Sequence, residues 1–524
     1  MNIKLRKFPY RYMPYEARLL ATEARLVGKI EANSPGHTVV TVPSNKASFT
    51  KVVSSLPRLT YFSHYQIGNA PFIPTQQFLM ETTANGGVAP SRQSTRYSSH
   101  GLHEYKGKFN PQIARHLMNR AGIGNSGIVL DPFAGSGTVL LEALHFGCNA
   151  IGIEANPLGV AIGNAKILLV SSNARTVAAF KAAALKAANA IETEKRPTEK
   201  LAADVALTEA HLDYLKAWFS PPILHKMLAF RSRCKASMSS EWAGVADVLV
   251  SSIARDVSHQ DPADLRIRRR KQPLSDAPIA DMLSAKLQTI ATRSTAAQNL
   301  LAENQVSAFE FIGDSRKPPI EFSAALKELG RTDVDLIITS PPYANAMPYV
   351  DTSRLSLVLL GLALPTNLKL LEKAQIGNRE ISPSERKRLN QEIEAKLDDL
   401  TPVIAHFVRK LLRLLGQHAA GFRKQNVPAL LVEYFTSMKQ VLCQCKALLS
   451  KDGTAYWVVG PNRTQIGDQE LAIETPGWIV SLAEAVGLSS EIEPLDAYQR
   501  FGLHQRNGIR KEFLLVFRPN QKKP

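Results

Sequence analysis

Four cysteines in 524 residues are too few for a disulfide framework. Cys443 and Cys445 stand two apart in a segment of helical pattern, which points them to different sides. Cys148 and Cys234 read as small core residues. No CxxC pair and no His/Cys cluster marks a zinc site, so no metal is expected. No apolar run reaches about eighteen residues, the length that spans a bilayer. Met1-Asn2-Ile3-Lys4-Leu5-Arg6 is not followed by the apolar core of a signal segment. The expected location is therefore the cytoplasm. Acidic residues are scarce: 46 Asp and Glu stand against 64 Lys and Arg, a formal net charge of +18. That surplus favours a polyanionic partner.

Two short runs carry the chemistry. The first is Asp131-Pro132-Phe133-Ala134-Gly135-Ser136-Gly137-Thr138, and the second is Thr339-Ser340-Pro341-Pro342-Tyr343. Each follows a stretch that reads as a buried strand, at 128–130 and 336–338. In an open α/β sheet, ligands bind outside the carboxyl ends of strands, so both runs are expected on one rim. The first run places a carboxylate at a strand tip, then a two-glycine turn that lets a ligand approach the backbone. No lysine follows Gly137-Thr138, which excludes the GxxxxGK[ST] phosphate cradle. A carboxylate there suits a ligand with a positive amino group. Glu154, at the tip of the next strand, is well placed for ribose hydroxyls. In the second run, two prolines fix φ and remove two backbone donors. This leaves a rigid set of acceptors with the flat face of Tyr343 at its end. Such a set suits an exocyclic amine on a base taken out of its stack. Taken singly, the runs are also compatible with an ordinary strand-turn-helix corner and a proline-rich loop.

Together, and in this order, they resemble the SAM-dependent amino-methyltransferases of nucleic acids. Ser340 stands where the adenine-N6 enzymes carry Asp or Asn, so the tetrapeptide 340–343 looks most like the cytosine-N4 DNA branch with its SPPY motif. Upstream, His103-Glu104-Tyr105-Lys106-Gly107-Lys108-Phe109-Asn110-Pro111 looks like the HPYPAKF-type segment of that branch, with Glu104 and Gly107 as departures. Downstream, Val458-Val459-Gly460-Pro461-Asn462-Arg463 resembles the strand and loop that close the pocket, and residues 507–517 the final hairpin strand. The resemblance implies a Rossmann-like α/β core. Its sheet would be mostly parallel and seven-stranded, with an antiparallel C-terminal hairpin, helical insertions and a small N-terminal region. It implies SAM as cofactor, held by His103, Lys106, Phe109, Asp131, Pro132, Phe133, Gly135, Gly137, Thr138, Glu154, Asn156 and Asp314. Ser340, Pro341, Pro342 and Tyr343 would receive and orient the target base. The implied partners are double-stranded DNA and a cognate restriction enzyme acting on the same site.

Pattern along the chain divides it into a mixed region (1–95), a first core half (96–167), a helical basic insertion (168–305), a second core half (306–362), a second helical insertion (363–428) and a C-terminal core part (429–524). The densest basic run, Arg266, Arg268, Arg269, Arg270 and Lys271, lies in the first insertion. This makes that insertion the leading candidate for target recognition; a solvated face is the alternative. Arg92, Arg96, Lys106, Lys108 and Arg115 are expected to add charge beside the cofactor segment. The polar stretch 91–99 reads as a linker or a phosphate contact, and Ser220-Pro221-Pro222 as a helix break. No cysteine lies near the second run, which argues against carbon-5 cytosine chemistry. Adenine-N6 methylation, methylation of an RNA base amine, and nucleic-acid binding by an inactive core remain the alternatives.

Overall fold

The computed structural model describes the chain except residues 44–45, 265–267, 302–304, 345–348, 379–380, 496–510 and 521–524. The first five strands alternate strictly enough to give one apolar face. They are β1 (Asn2–Lys7), β2 (Lys29–Asn33), β3 (His37–Thr41), β4 (Phe62–Ile67) and β5 (Ile73–Pro74), in the antiparallel order β2-β3-β1-β4-β5. Ile3, Leu5 and Val40 are fully buried, while Lys4 between the first two is exposed. Helix α1 (Pro14–Val27) has proline in its first turn, where a missing N–H costs nothing. Helices α2 (Lys46–Ser55) and α3 (Gln76–Ala84) complete this unit. Its apolar face packs on α4 (Pro111–Ala121) through Leu20, Tyr61, Leu117 and Met118. Asn110 caps α4, its side chain accepting from the Gln112 N–H at 2.9 Å.

The core sheet has seven strands: β6 (Ile128–Asp131), β7 (Asn149–Glu154), β8 (Ala308–Ile312), β9 (Val334–Thr339), β10 (Leu449–Val459), β13 (Leu488–Leu495) and β14 (Glu512–Pro519). A separate hairpin, β11 (Asn462–Ile466) with β12 (Gln469–Ile473), follows β10. The sheet order is β13-β14-β10-β9-β6-β7-β8. The five strands from β10 to β8 run parallel, and β14 pairs antiparallel with both β10 and β13. The expected Rossmann-like core is thus observed, with its antiparallel C-terminal strands. Residues 507–510 of the expected last strand lie outside the described residues. Because β6 is flanked by β7 on one side and β9 on the other, the topological switch point lies between β6 and β9.

Helices α5 (Thr138–Phe146) and α6 (Pro157–Ser171) follow β6 and β7. From α6 to helix Ile279–Leu301 the chain is helical apart from short connections and the loop after Val257. These helices bury their own apolar cluster, which includes Phe219, Leu228, Leu249 and Leu283, and receive helix Tyr349–Leu359 from beyond the second run. The helix break expected at 220–222 is present: helix Glu209–Lys216 stops before it and a new helix starts at Pro221. Pro221 and Pro222 occupy the first turn of helix Pro221–Ser237, where proline is tolerated. The stretch 91–99, by contrast, is not a free linker. Tyr97, Ser98, Ser99 and His100 are buried against α5. The Glu142 carboxylate accepts from the Tyr97 hydroxyl at 2.9 Å, lies 2.7 Å from the His100 ring, and pairs with Arg115 at 3.4 Å. Arg115 is therefore an internal cation, not a surface charge.

Candidate active site

The two runs close on one another at the switch point. Asp131 ends β6 and Thr339 ends β9, and the Thr339 hydroxyl donates to Asp131 Oδ1 at 2.6 Å. The same carboxylate oxygen accepts the Phe133 N–H at 3.0 Å. Asp131 is 3% exposed, and burial raises its pKa to about 7. It sits behind the turn and fastens the two loops together.

The turn requires its glycines. Gly135 and Gly137 have φ of 62° and 69°, the left-handed region that side chains resist. A Cβ on Gly159 would lie 2.1 Å from the Gly135 carbonyl, and one on Gly163 would collide with Glu310. The Glu154 carboxylate accepts the Gly135 and Asn156 N–H groups at 2.9 and 2.8 Å. Beneath the turn, Lys166 donates to the Ser136 carbonyl at 2.6 Å and to its hydroxyl at 3.0 Å. Burial lowers the Lys166 pKa to about 7 and raises that of Glu154 to about 7, while Glu310 is raised well above the usual carboxylate range by burial and then by Glu154. Glu154 faces the cleft, so a cationic ligand bound there would lower its pKa and be held by it.

Outside the turn lies a cleft of about 660 Å³, its open mouth included. Its walls are Tyr105 to Gly107, Pro132, Phe133, Gly135, Glu154 and Asp314, with Ser340 and Pro342 of the second run. Of the residues that the sequence suggested, Lys106, Pro132, Phe133, Gly135, Glu154, Asp314, Ser340 and Pro342 line it. The others stand back. His103 lies 3.0 Å from the Ser251 hydroxyl on helix Ser240–Val257, and burial lowers its pKa to about 4. Phe109 packs into the core beside α4. Gly137 abuts Gly163, Thr138 is buried in α5, and Asn156 caps α6, accepting from the Leu158 N–H at 3.0 Å. Pro341 is buried, and Tyr343 donates its hydroxyl to Glu512 Oε1 at 2.8 Å. Asp314 is already engaged: Arg316 pairs with it at 2.6 Å and also reaches Ser437 on the long helix Val427–Leu448.

Several walls were missed from sequence. Tyr105 lies within the quoted upstream segment and faces Gly135. Ala374, Gln375 and Ile376 come from the second insertion. Gly377 follows with φ of 82°, and a Cβ there would touch Pro342 at 3.3 Å. The Pro342 carbonyl accepts from Tyr434 at 2.8 Å. The second insertion therefore abuts the Ser-Pro-Pro-Tyr loop directly.

The basic run is not a free patch. Arg266 lies outside the described residues. Arg269 lies 4.7 Å over the Trp218 ring and donates to the Ala217 carbonyl at 2.7 Å. Arg270 donates to the Gln260 and Asp256 carbonyls at 3.2 and 2.8 Å. Arg268 pairs with Asp264 at 3.2 Å but is 75% exposed, and Lys271 is exposed. Two of the five cations thus hold a loop in place. Lys108 is likewise internal, donating to the Thr95 and His100 carbonyls at 3.1 Å.

Residues 83–163 match the family model of the N6/N4 DNA methylases. Over 69 residues the chain is 42% identical to the type II methyltransferase M.MjaII of Methanocaldococcus jannaschii, covering 13% of each chain. Over 333 residues it is 24% identical to the type II methyltransferase M.BsoBI of Geobacillus stearothermophilus, covering 59% of this chain and 61% of that one. It is 27% identical over 195 residues to M.AvaI of Nostoc, covering 36% and 38%. The chain thus spans less than two thirds of the length of each of these relatives. Among the described residues no helix is long and apolar enough to cross a membrane.

Proposed function

We propose that the chain is an amino-methyltransferase of DNA, as the family model matching residues 83–163 and the type II relatives support, and that it methylates the exocyclic N4 amine of cytosine in double-stranded DNA, with SAM as donor and the base flipped out of its stack. The observation that carries this reading is the shared cleft: the glycine turn after β6 and the Ser-Pro-Pro-Tyr loop after β9 form two of its walls. When bound, SAM supplies a methyl group on a positively charged sulfur. The residues present fit it. The glycine turn admits its methionine part, Glu154 accepts its ribose hydroxyls, and Asp314 accepts its adenine amine once it shares that carboxylate with Arg316. Asp131 acts one step back by holding Phe133 and Thr339.

The target amine is a weak nucleophile, because its lone pair is conjugated with the ring. Ser340 Oγ and the Pro341 carbonyl accept hydrogen bonds from its N–H groups and turn it toward a tetrahedral geometry. Tyr343 offers its ring to the base, and its hydroxyl bond to Glu512 fixes the ring plane. Holding the two reactants in line supplies the largest share of the rate, about 7–11 kcal/mol when alignment is good. The preference for cytosine over adenine rests on Ser340, which stands where the adenine-N6 branch carries an acid or amide. The named relatives are type II methyltransferases, which supports a restriction partner acting on the same site. Among the described members of the basic run, Arg268 and Lys271 are the ones still available for phosphate.

The decisive test is base-resolved sequencing with mass spectrometry of DNA from cells expressing the protein. N4-methylcytosine at one short sequence is the expected product. N6-methyladenine in its place would overturn the cytosine assignment, and methyl transfer to RNA alone would overturn the DNA assignment.

A further inference from the structure

The first 84 residues hold ten Lys and Arg against four Glu. Three of those carboxylates are buried and engaged internally. Glu16 accepts the Met13 N–H at 2.6 Å, Glu23 the Thr60 and Tyr61 N–H groups at 2.9 and 2.8 Å, and Glu81 the Gln77 amide at 2.7 Å. Glu31 is the exposed acid of this unit, 3.5 Å from Lys29. The outer surface is therefore almost wholly cationic.

Strand register places part of this charge on one face. Residues directly opposite in an antiparallel pair share a face. Arg6 lies opposite His37 of β3 and His64 of β4, which makes a row across three strands. Lys4 stands one row along, between Val39 and Gln66. Lys29 of β2 lies opposite Thr41, which in turn faces Asn2. This is the face turned away from Ile3, Leu5 and Val40; α3 reaches its β4 end through Phe78, 4.5 Å from the His64 ring. Arg6 is held flat, its guanidinium 4.0 Å over the Phe72 ring, and the His37 ring is 5.7 Å from the same ring. Adjacent strands are about 4.8 Å apart, so the row spans roughly 10 Å.

We infer that this outer face, through Lys4, Arg6 and Lys29, docks the phosphate backbone of the duplex DNA that the protein methylates. The inference rests on the reading of the protein as a DNA methyltransferase. It goes beyond that reading by assigning a docking role to the N-terminal sheet. Three cations spread over a flat sheet face, Lys4, Arg6 and Lys29, bring no element that enters a groove. They grip phosphates without reading bases, adding affinity and not specificity. They also supply the electrostatic grip that the run 266–271 cannot supply in full, since Arg269 and Arg270 are tied to the protein's own carbonyls.

The test uses the full chain and fluorescent 30-base-pair duplexes, cognate and scrambled, titrated across a sodium chloride series. Lys4→Gln with Lys29→Gln removes two exposed charges that have no packing role. Each lost phosphate contact lowers the slope of log affinity against log salt by about 0.9, so the double variant should lose about 2. The loss should be equal on both duplexes, with calorimetric SAM affinity and melting temperature unchanged. Adding Arg6→Gln should deepen it. An unchanged slope in a folded double variant overturns the inference, as does a loss confined to single-stranded RNA. A wild-type protein that binds duplexes with this salt dependence but transfers no methyl group refutes the proposed function and leaves the docking result standing. A wild-type protein that binds no duplex overturns both.

Discussion

Replacing Asp131 with asparagine tests whether its charge or its acceptor geometry matters. In the structure one oxygen, Oδ1, accepts both the Thr339 hydroxyl and the Phe133 N–H. An amide oxygen can accept both. The charge, by contrast, is a burden without ligand, because burial raises the pKa from 3.8 to about 7. Between those values the unfolded carboxyl is ionised while the folded one keeps its proton. Its contribution to stability is therefore full below about pH 4, falls as pH rises, and is gone above about pH 7. The slope in that window is about 1.4 kcal/mol per pH unit, so from pH 5 to pH 8 the wild type should lose roughly 3 kcal/mol that Asp131→Asn does not lose. Urea unfolding of both proteins at the two pH values measures the difference. Calorimetry at pH 8 should find SAM affinity within about threefold of wild type for Asp131→Asn and much weaker for Asp131→Ala, which removes an acceptor that holds two loops. If Asp131→Asn loses affinity as severely as Asp131→Ala, the carboxylate bonds the cofactor's ammonium directly and the loop-holding role is wrong. A pH-independent gap in stability would show that Asp131 does not titrate near neutrality.

Tyr343→Ala should keep SAM affinity but lose about 5- to 150-fold in methyl transfer, the equivalent of 1–3 kcal/mol of base stacking; Tyr343→Phe should lose much less, and wild-type turnover by the alanine variant would remove the ring from the base pocket. Arg268→Ala with Lys271→Ala should lower the salt slope of DNA binding by up to about 2, whereas Arg269→Ala with Arg270→Ala should leave the slope alone and lower the melting temperature; the reverse pattern would return those two arginines to the DNA. Glu142→Gln should cost about 3–5 kcal/mol in urea unfolding, because it leaves Arg115 buried without its carboxylate, and a loss below 1 kcal/mol would mean that the Tyr97 and His100 contacts suffice.

What could be read from the sequence was local. The glycine turn and the proline pair announce themselves through backbone rules that need no partner, and each follows an apolar strand, so their place on one rim could be argued. Elements hidden from sequence depend on distant partners. Tyr97 and Ser98 looked like part of a polar linker, yet they are buried because Glu142 and His145 lie under them more than forty residues on. Arg269 and Arg270 looked like a DNA patch because charge in sequence carries no direction; Trp218 and the Asp256 carbonyl decide where they point. Gln375 and Ile376 belong to an insertion whose composition is that of any polar helical segment. Only the fold brings them against Asp314 and Pro342. His103 and Phe109 lie in the upstream segment that looked like a cofactor wall, but the structure turns them toward Ser251 and toward the core.

The strand order has a consequence for synthesis. β6 pairs with β7, which ends at Glu154, and with β9, which begins at Val334, so 334 − 154 = 180 residues separate its two neighbours' arrival. At about 5–20 residues per second a ribosome takes roughly 10–35 s to cross that gap. Throughout it, one edge of β6 stays unpaired, with Val129 and Leu130 awaiting Leu336 and Ile337. An open apolar edge is an invitation to pair with another chain. We expect ribosome-stalled chains ending near residue 330 to be cut readily between 128 and 154, and chains ending past 490 to resist; equal resistance would mean that the helices of 157–301 shield the edge by themselves. Slower growth at low temperature with ample chaperone should accordingly raise the yield of folded protein more than any single stabilising substitution in the finished sheet.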